Sequence, residues 1–504
     1  MKYRLQYLRA AAAFLVVVWH ASYHVWEIRG DNFMLSHTPG LSGAFGVTLF
    51  FVISGYLMAT LAGKNTAGQF MLHRVIRIYP IYWLVVVLFF VGNTALGYGF
   101  TFDPYAFALL PGPGRVYPLG VEWTLPFELS FYLVVFLIIL LRAARALPVI
   151  GALWAAAIVV LLLAAPDLQQ GQFPRLSHLL VSQWTLPFTL GLLVPTAIRR
   201  GIVSSYSWIA GLVLIFLAWQ YQAYAIYLLP LGCVGLVHWA VVPRAAEPGH
   251  DTEIRLLTRL GDWSYALYLC HVPIMLWMYR LAPGSWSGVA LWCISVVLSL
   301  VVAAGLGTVD LWLYRRLKSR IDSLKLRTTA RLGPAFACVL LLYSGYAEHQ
   351  SYRDGQLAAS VDELGRRLEQ SHPSTTQAIE VAAQQAHFAL DASLVGSADS
   401  ITCGEDGTLQ VRGWVADKVK GTSGIAIMMF QGGDYRGSIL PRFPRPDVVQ
   451  ILNLQRFNQT PGFSAEFGKH TCTSGCSEPM FLAVKGNGYA SLPIDPHVPA
   501  CLKG

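Results

Sequence analysis

The sequence predicts a polytopic α-helical membrane protein of about ten to eleven transmembrane helices, followed by a small all-β extracytoplasmic C-terminal domain. Three observations carry this reading. Hydrophobic residues make up 55% of the 504 residues and charged residues only 13%, about half of the roughly 25% in a soluble globular chain. Mean hydropathy is +0.48. Long apolar windows run to about residue 346, and after about residue 387 short alternating segments divided by Gly and Pro replace them.

The apolar windows fall near residues 7–26, 43–62, 79–99, 124–142, 147–165, 181–198, 205–220, 222–241, 263–281, 287–313 and 331–346. Each is close to the ~20 residues a helix needs to cross a bilayer. The first begins with Lys2 and Arg4, as a secretory signal would. No small-x-small cleavage site follows it, so it reads as a retained helix. With the N-terminus in the cytoplasm, every second loop is basic: Lys64/Arg74/Arg77, Arg142/Arg145, Arg199/Arg200, Arg244/Arg255/Arg259, and the run from Arg315 to Arg331. That alternation follows the positive-inside rule. An odd number of spans then puts the tail outside.

The net charge of +9 belongs to the membrane part and its flanks, because residues 386–504 hold ten Lys+Arg and ten Asp+Glu. This distribution argues for membrane topology and against nucleic-acid binding. The organisation that follows is a membrane domain over 1–320, an additional transmembrane helix over 321–346, a polar helical linker over 347–386 and a β-sandwich-like domain over 387–504.

Cysteines bear on the compartment. Cys233, Cys270, Cys293 and Cys338 fall in spans, as small packing residues. Cys403, Cys472, Cys476 and Cys501 fall in the tail. An oxidising exterior would let this even number pair. Zinc is the competing reading, but only Cys472 and Cys476 have close ligand spacing, so disulfides are favoured and no metal site is assigned.

In the linker, Leu357, Val361, Leu364 and Leu368 recur at steps of four, three and four, which makes one apolar helix stripe. The stripe is a candidate homodimer seam. Two heptads are too few for a coiled coil, and a connector helix packed on its neighbours is favoured. Ser371–Thr376, with Pro373, breaks the helix. Beyond it, Leu409–Arg412 alternates, Ile425–Phe430 is a short apolar run ended by Gly432-Gly433, and Gly486-Asn487-Gly488 sits where a hairpin turn would.

Five segments of the membrane part stand out chemically. In the first span, Arg9 and His20 lie eleven residues apart, about three turns of one helix. An ionisable residue inside a span is costly and marks a candidate functional site. His20 would lie roughly 20 Å into a hydrocarbon core of about 30 Å. His24, one turn on, is nearer the interface, where a solvated histidine is unremarkable. The second segment, GVTLFFVISGYL, places Ser54-Gly55 inside a span, and small residues there permit close helix approach. The third holds Arg74 and Arg77 on one helix face, followed by Pro80. Ordinary positive-inside anchoring explains such a pair; a phosphate clamp is the sharper reading, since arginine forks match phosphate oxygens.

The fourth segment runs Glu122-Trp123-Thr-Leu-Pro-Phe-Glu128 to Tyr132. A solvated loop acid is a fair reading of Glu122, less so of Glu128, which sits near the interface or just within the bilayer. The fifth, Trp263-Ser-Tyr265 to His271-Val-Pro273, adds a second intramembrane histidine. A lone one is often a hydrogen-bonded core residue; two histidines, two arginines on one face and an acid in one bundle point to a site.

In their order, YLRAAAAFLVVVWHA, FGVTLFFVISGYL, HRVIRIYPIYW, EWTLPFELSFY and SYALYLCHVPIM resemble the membrane acyltransferase-3 family across about residues 5–320. The resemblance implies a ten-helix domain in the bacterial inner (plasma) membrane that moves acyl groups, usually acetyl from acetyl-CoA, onto cell-surface carbohydrates. By resemblance, Arg9 and His20 match the paired Arg and His of the first helix, and Arg74 and Arg77 match the Arg-x-x-Arg pair associated with the acyl donor. Glu128 matches the acid after the tryptophan (here Trp123), and His271 the late histidine; Ser54, Trp123, Tyr265 and His271 are the expected further pocket positions. Many members have two adjacent acids, and here Phe127 takes the first place.

The resemblance thus implies His20 and Glu128 as catalytic residues, Arg9, Arg74 and Arg77 as acyl-CoA-binding residues, no bound cofactor, and acyl-CoA and a glycan or lipid-linked glycan as substrates. A positioned histidine would take the proton of a sugar hydroxyl as it attacks the thioester. Some members end in an SGNH-type domain, but this tail has no Gly-Asp-Ser segment, and Asp495-Pro-His497 is not its Asp-x-x-His pair. Val411–Asp417 and Arg445 to Ser464 instead resemble small β-sandwich modules beside carbohydrate-modifying enzymes. A transporter or flippase is the alternative: it would also bury charge among about ten helices, but it would need no CoA clamp and release no acyl group.

Overall fold

The computed structural model describes residues 3–98, 103–111, 117–164, 176–202, 206–242, 253–371, 375–403, 408–441, 445–452, 454, 461–467 and 479–495. The chain divides into two compact units, Met1–Tyr98 with Phe107–Pro111 and Tyr117–Ser344, and Gly99–Ala106 with Gly112–Val116 and Gly345–Gly504.

The helices are α1 Tyr3–Arg29, α2 Phe33–His37, α3 Ser42–Leu61, α4 Ala67–Ala95, α5 Pro104–Phe107, α6 Thr124–Leu140, α7 Leu147–Ala164, α8 Leu176–Val181, α9 Leu186–Arg199, α10 Ser207–Gln220, α11 Ala225–Val241, α12 Arg255–Leu281, α13 Gly288–Asp322, α14 Leu326–Glu369, α15 Thr376–Gln385 and α16 Pro446–Ile451. Every apolar window of the sequence carries helix. Seven helices among the described residues are long and apolar enough to cross a membrane. The shorter α6 and α10 are also apolar, with Glu128 inside α6, and α12 begins about two turns before its window, with Arg255 and Arg259. The last apolar window and the start of the polar helical linker lie on one helix, α14, of 44 residues.

Helices of the first unit approach closely where glycines face each other. A Cβ on Gly55 of α3 would fall on the carbonyl oxygen of Phe188, and one on Gly191 of α9 would fall on that of Val52. Ser54-Gly55 therefore lies at a backbone-to-backbone crossing, as its small residues predict. Helix α1 lies against α3, α12 and α13, which places Arg9 and His20 in the middle of the bundle.

The second unit is a β-sandwich. One sheet has the order β1-β8-β7-β4-β5 and the other β2-β3-β6, with β1 Ala389–Leu390, β2 Leu394–Cys403, β3 Leu409–Asp417, β4 Ala426–Gln431, β5 Asp434–Ile439, β6 Gly462–Phe467, β7 Pro479–Lys485 and β8 Gly488–Leu492. Strand β4 is buried on both faces, and its period of two explains how. Ile427 and Met429 face the inter-sheet core with Val411, Phe463 and Phe481. Ala426, Met428 and Phe430 pack under helices, against Val361 and Leu368 of α14 and Ile379 of α15. The leucine stripe of the linker thus covers the outer face of the larger sheet. The Thr375 hydroxyl caps α15 by accepting from Ala378 N at 3.2 Å. Strands β7 and β8 pair from Lys485 to Gly488 across the predicted turn, where Gly486 has φ 57°. Cys472, Cys476, Cys501 and His497 lie outside the described residues, and of Cys403 only the backbone is described.

Candidate active site

A cavity of about 450 Å³ lies within the helical unit. Six of the nine residues singled out in the sequence line it: Arg9 from α1, Ser54 from α3, Arg74 and Arg77 from α4, Glu128 from α6 and Tyr265 from α12. Its walls are otherwise largely apolar, with Phe50, Phe51, Leu57 and Leu125 among them. The result is a mostly greasy chamber with a few convergent charges, the usual form of a small-molecule site.

The three guanidiniums are held differently. Arg77 Nη1 donates to Asp310 Oδ2 at 2.8 Å, and its guanidinium lies 5.3 Å from the Tyr265 ring and 5.7 Å from that of Tyr314. Arg9 Nη1 donates to Gln6 Oε1 at 3.0 Å, and Gln6 Nε2 in turn donates to Asp262 Oδ1 at 2.7 Å. Arg74 sits 5.6 Å from the Tyr132 ring and 6.0 Å from that of Phe70, and its Nε is buried with no partner among the described residues. Glu128 accepts the hydroxyl hydrogen of Tyr132. The hydroxyls of Ser54 and Ser264, both on the cavity wall, are also buried without partners among the described residues. Unsatisfied buried polar atoms are costly, so this cluster suits a ligand that brings acceptors.

His20 and His271 do not stand on the cavity wall but meet each other beyond it, His271 Nε2 lying 3.2 Å from His20 Nδ1. Tyr268 is the link. It lines the cavity, its ring centroid is 6.1 Å from that of His271, and its hydroxyl donates to Val121 O at 2.6 Å. Tyr265, Tyr268 and His271 follow at steps of three on α12, one helix face leading from the cavity to the histidines. His24 donates to Glu27 Oε2 at 2.7 Å near the surface. Trp123 stands apart, edge-on to Trp184 at 5.2 Å.

Glu122 corrects the sequence reading. It is fully buried and accepts the backbone N–H groups of Leu119 at 2.7 Å and Val121 at 3.1 Å, so it pins the loop before α6 instead of facing solvent. Asp262, Asp310 and Tyr132 are site residues that sequence reasoning passed over. Asp310 carried a signal, an acid inside a long apolar helix.

The family model described as an acyltransferase domain matches residues 2–308, a stretch that contains the histidine pair and every residue of the cavity except Leu311 and Tyr314. The chain belongs to the acyltransferase-3 family. Among its curated relatives, the acyltransferase MdmB of Streptomyces mycarofaciens is 26% identical over 275 residues, covering 48% of this chain and 70% of that protein. The exopolysaccharide production protein ExoZ of Rhizobium meliloti (strain 1021) is 31% identical over 149 residues, 27% of this chain and 45% of that protein. No solved structure matches. The chain is thus a multi-pass membrane acyltransferase with a C-terminal β-sheet region outside the stretch that the family model matches.

Proposed function

We propose that this acyltransferase moves an acyl group, acetyl in our reading, from acyl-CoA to a hydroxyl of a cell-surface or exported glycan. The bacterial inner membrane would hold it with the N-terminus in the cytoplasm and the β-sandwich on the extracytoplasmic side. The observation that carries the reading is that Arg9 and Arg74 both line one cavity with no carboxylate in ion-pair distance among the described residues. Guanidiniums bind phosphate oxygens strongly in an apolar setting. The relative named for exopolysaccharide production supports the glycan acceptor.

In this scheme Arg9 and Arg74 hold the donor's phosphates while Arg77, neutralised by Asp310, and Tyr265 shape the channel for the pantetheine arm. The thioester passes Tyr268 towards the histidines. His20 takes the proton of the acceptor hydroxyl, the oxygen attacks the thioester carbonyl, the C–S bond breaks, and the proton goes to the departing thiolate. Glu128 orders Tyr132, the ring against which Arg74 lies.

Coenzyme A binding and acetyl transfer by detergent-purified protein test this. Arg74→Ala is expected to weaken coenzyme A binding, and His20→Ala to abolish transfer while leaving that binding intact. Unchanged affinity in the first, or wild-type transfer in the second, overturns the respective assignment. Deletion of the gene followed by mass analysis of surface polysaccharides, lipopolysaccharide included, identifies the acyl group lost; no lost group favours the flippase reading.

A further inference from the structure

We infer that His271 is a positioning residue that, together with the Val16 carbonyl, holds His20 in one tautomer and orientation, so that Nε2 of His20 is the atom that accepts the hydroxyl proton. The inference rests on the proposal that His20 is the base. The hydrogen-bond pattern decides it, because a carbonyl oxygen only accepts. His20 Nδ1 lies 2.9 Å from Val16 O, so it carries the hydrogen on that ring. His271 Nδ1 lies 3.0 Å from Leu267 O, so it carries the hydrogen on the second ring. A neutral imidazole has one N–H, which leaves a lone pair on His271 Nε2. That lone pair faces His20 Nδ1 at 3.2 Å.

The single Nδ1–H of His20 is therefore shared between two acceptors, Val16 O and His271 Nε2. A hydrogen on His271 Nε2 would instead set two N–H groups against each other. With Nδ1 doubly engaged, the lone pair of His20 is left on Nε2, which has no hydrogen-bond partner among the described residues. The rings also hold each other in place: His20 meets His271 edge-on with centroids 5.0 Å apart, and Trp19 packs edge-on against His20 at 4.8 Å. When Nε2 takes a proton, the positive charge spreads to Nδ1–H and strengthens its bonds to both acceptors, so His271 supports the imidazolium as well as the tautomer.

The test is nitrogen-15 NMR of ring-labelled full-length protein, with the His20 signals assigned by their loss in His20→Gln. The expected result is a protonated Nδ1 and an unprotonated Nε2 on His20; the opposite tautomer overturns the inference. His271→Leu removes the acceptor, and His271→Gln supplies an amide oxygen in its place. His271→Leu is expected to lower kcat for acetyl transfer by ~10–100-fold, the order seen on removing the hydrogen-bond partner that orients a metal-ligating histidine, with the donor KM unchanged. His271→Gln is expected to recover most of that loss and keep the wild-type tautomer. Wild-type kcat in His271→Leu overturns the role of His271, as does a folded His271→Gln as slow as His271→Leu. Full transfer by His20→Ala would instead sink the underlying assignment of the base, whatever the NMR shows.

Discussion

Arg77 and Asp310 form a buried ion pair 2.8 Å long between helices α4 and α13, 233 residues apart in the chain. The Asp310 carboxylate is only 4% exposed, so neither charge can be removed alone without stranding the other. Asp310→Ala is expected to cost about 3–5 kcal/mol, the usual penalty for half of a buried pair. Thermal unfolding in detergent should show a clear drop in midpoint. The double variant Arg77→Gln with Asp310→Asn removes both charges and should unfold nearer the wild type; equal midpoints for the single and double variants would dismiss the pair as a structural link.

Arg74 should behave in the opposite way. It has ring contacts and no ion pair among the described residues, so Arg74→Ala is expected to leave the unfolding midpoint within a degree or two of wild type, as a substitution that breaks no paired group. Coenzyme A affinity should fall by ~10–100-fold, the worth of one charge-assisted hydrogen bond at about 1.5–3 kcal/mol. Arg74→Lys keeps the charge but not the planar fork, and calorimetry should place it between the two. A large stability loss in Arg74→Ala with unchanged affinity would make Arg74 a packing residue.

Ser54 and Gly55 are neighbours with different tasks. Gly55→Ala sets a methyl group on the Phe188 carbonyl, and overpacking of this kind costs typically about 1–3 kcal/mol. Lower yield of folded protein and earlier thermal unfolding are expected. Ser54→Ala removes a buried hydroxyl with no partner among the described residues and should leave the midpoint unchanged or raise it. The same low midpoint in both variants would show that the helix crossing, not the hydroxyl, governs the whole segment.

These residues also show how far the sequence carries. Hydropathy located the long helices of the bundle, because apolar length is a local property, but not the short α2, α5 and α16; alternation and turn signals located β3, β4 and the β7–β8 hairpin but passed over β1, β2, β5 and β6. Intramembrane charge singled out Arg9, Arg74, Arg77 and Glu128, all of which meet at the cavity. The pairings were not legible. Nothing local links Arg77 to Asp310 or His20 to His271, since those contacts form only when distant helices pack. Glu122 shows the converse: beside Trp123 in a loop it reads as solvated, and only the folded turn reveals that its oxygens receive the N–H groups of Leu119 and Val121. The stripe Leu357–Leu368 was visible, but what covers it depends on which face of β4 turns outward.

Asp417, at the end of β3, carries a pH dependence of the β-sandwich. Its side chain is buried, which by itself would raise the carboxyl. The N–H groups of Lys420 and Val419, each at 2.8 Å, and the Lys485 ammonium at 3.0 Å more than offset this and pull it from 3.8 down to about 2. A folded value below the unfolded one means that the carboxylate stabilises the sandwich fully above about pH 4. That contribution declines as pH falls towards 2, where the folded carboxyl also takes up its proton. Amide exchange of β3, β4 and β7 in the full-length protein should therefore be steady in amplitude between pH 5 and 7 after correction for intrinsic rates. Opening should increase on acidification below about pH 4. Asp417→Asn is expected to open more readily at pH 7 and to lose most of the acid sensitivity. An acid response in Asp417→Asn as steep as that of the wild type would assign the dependence to other carboxylates.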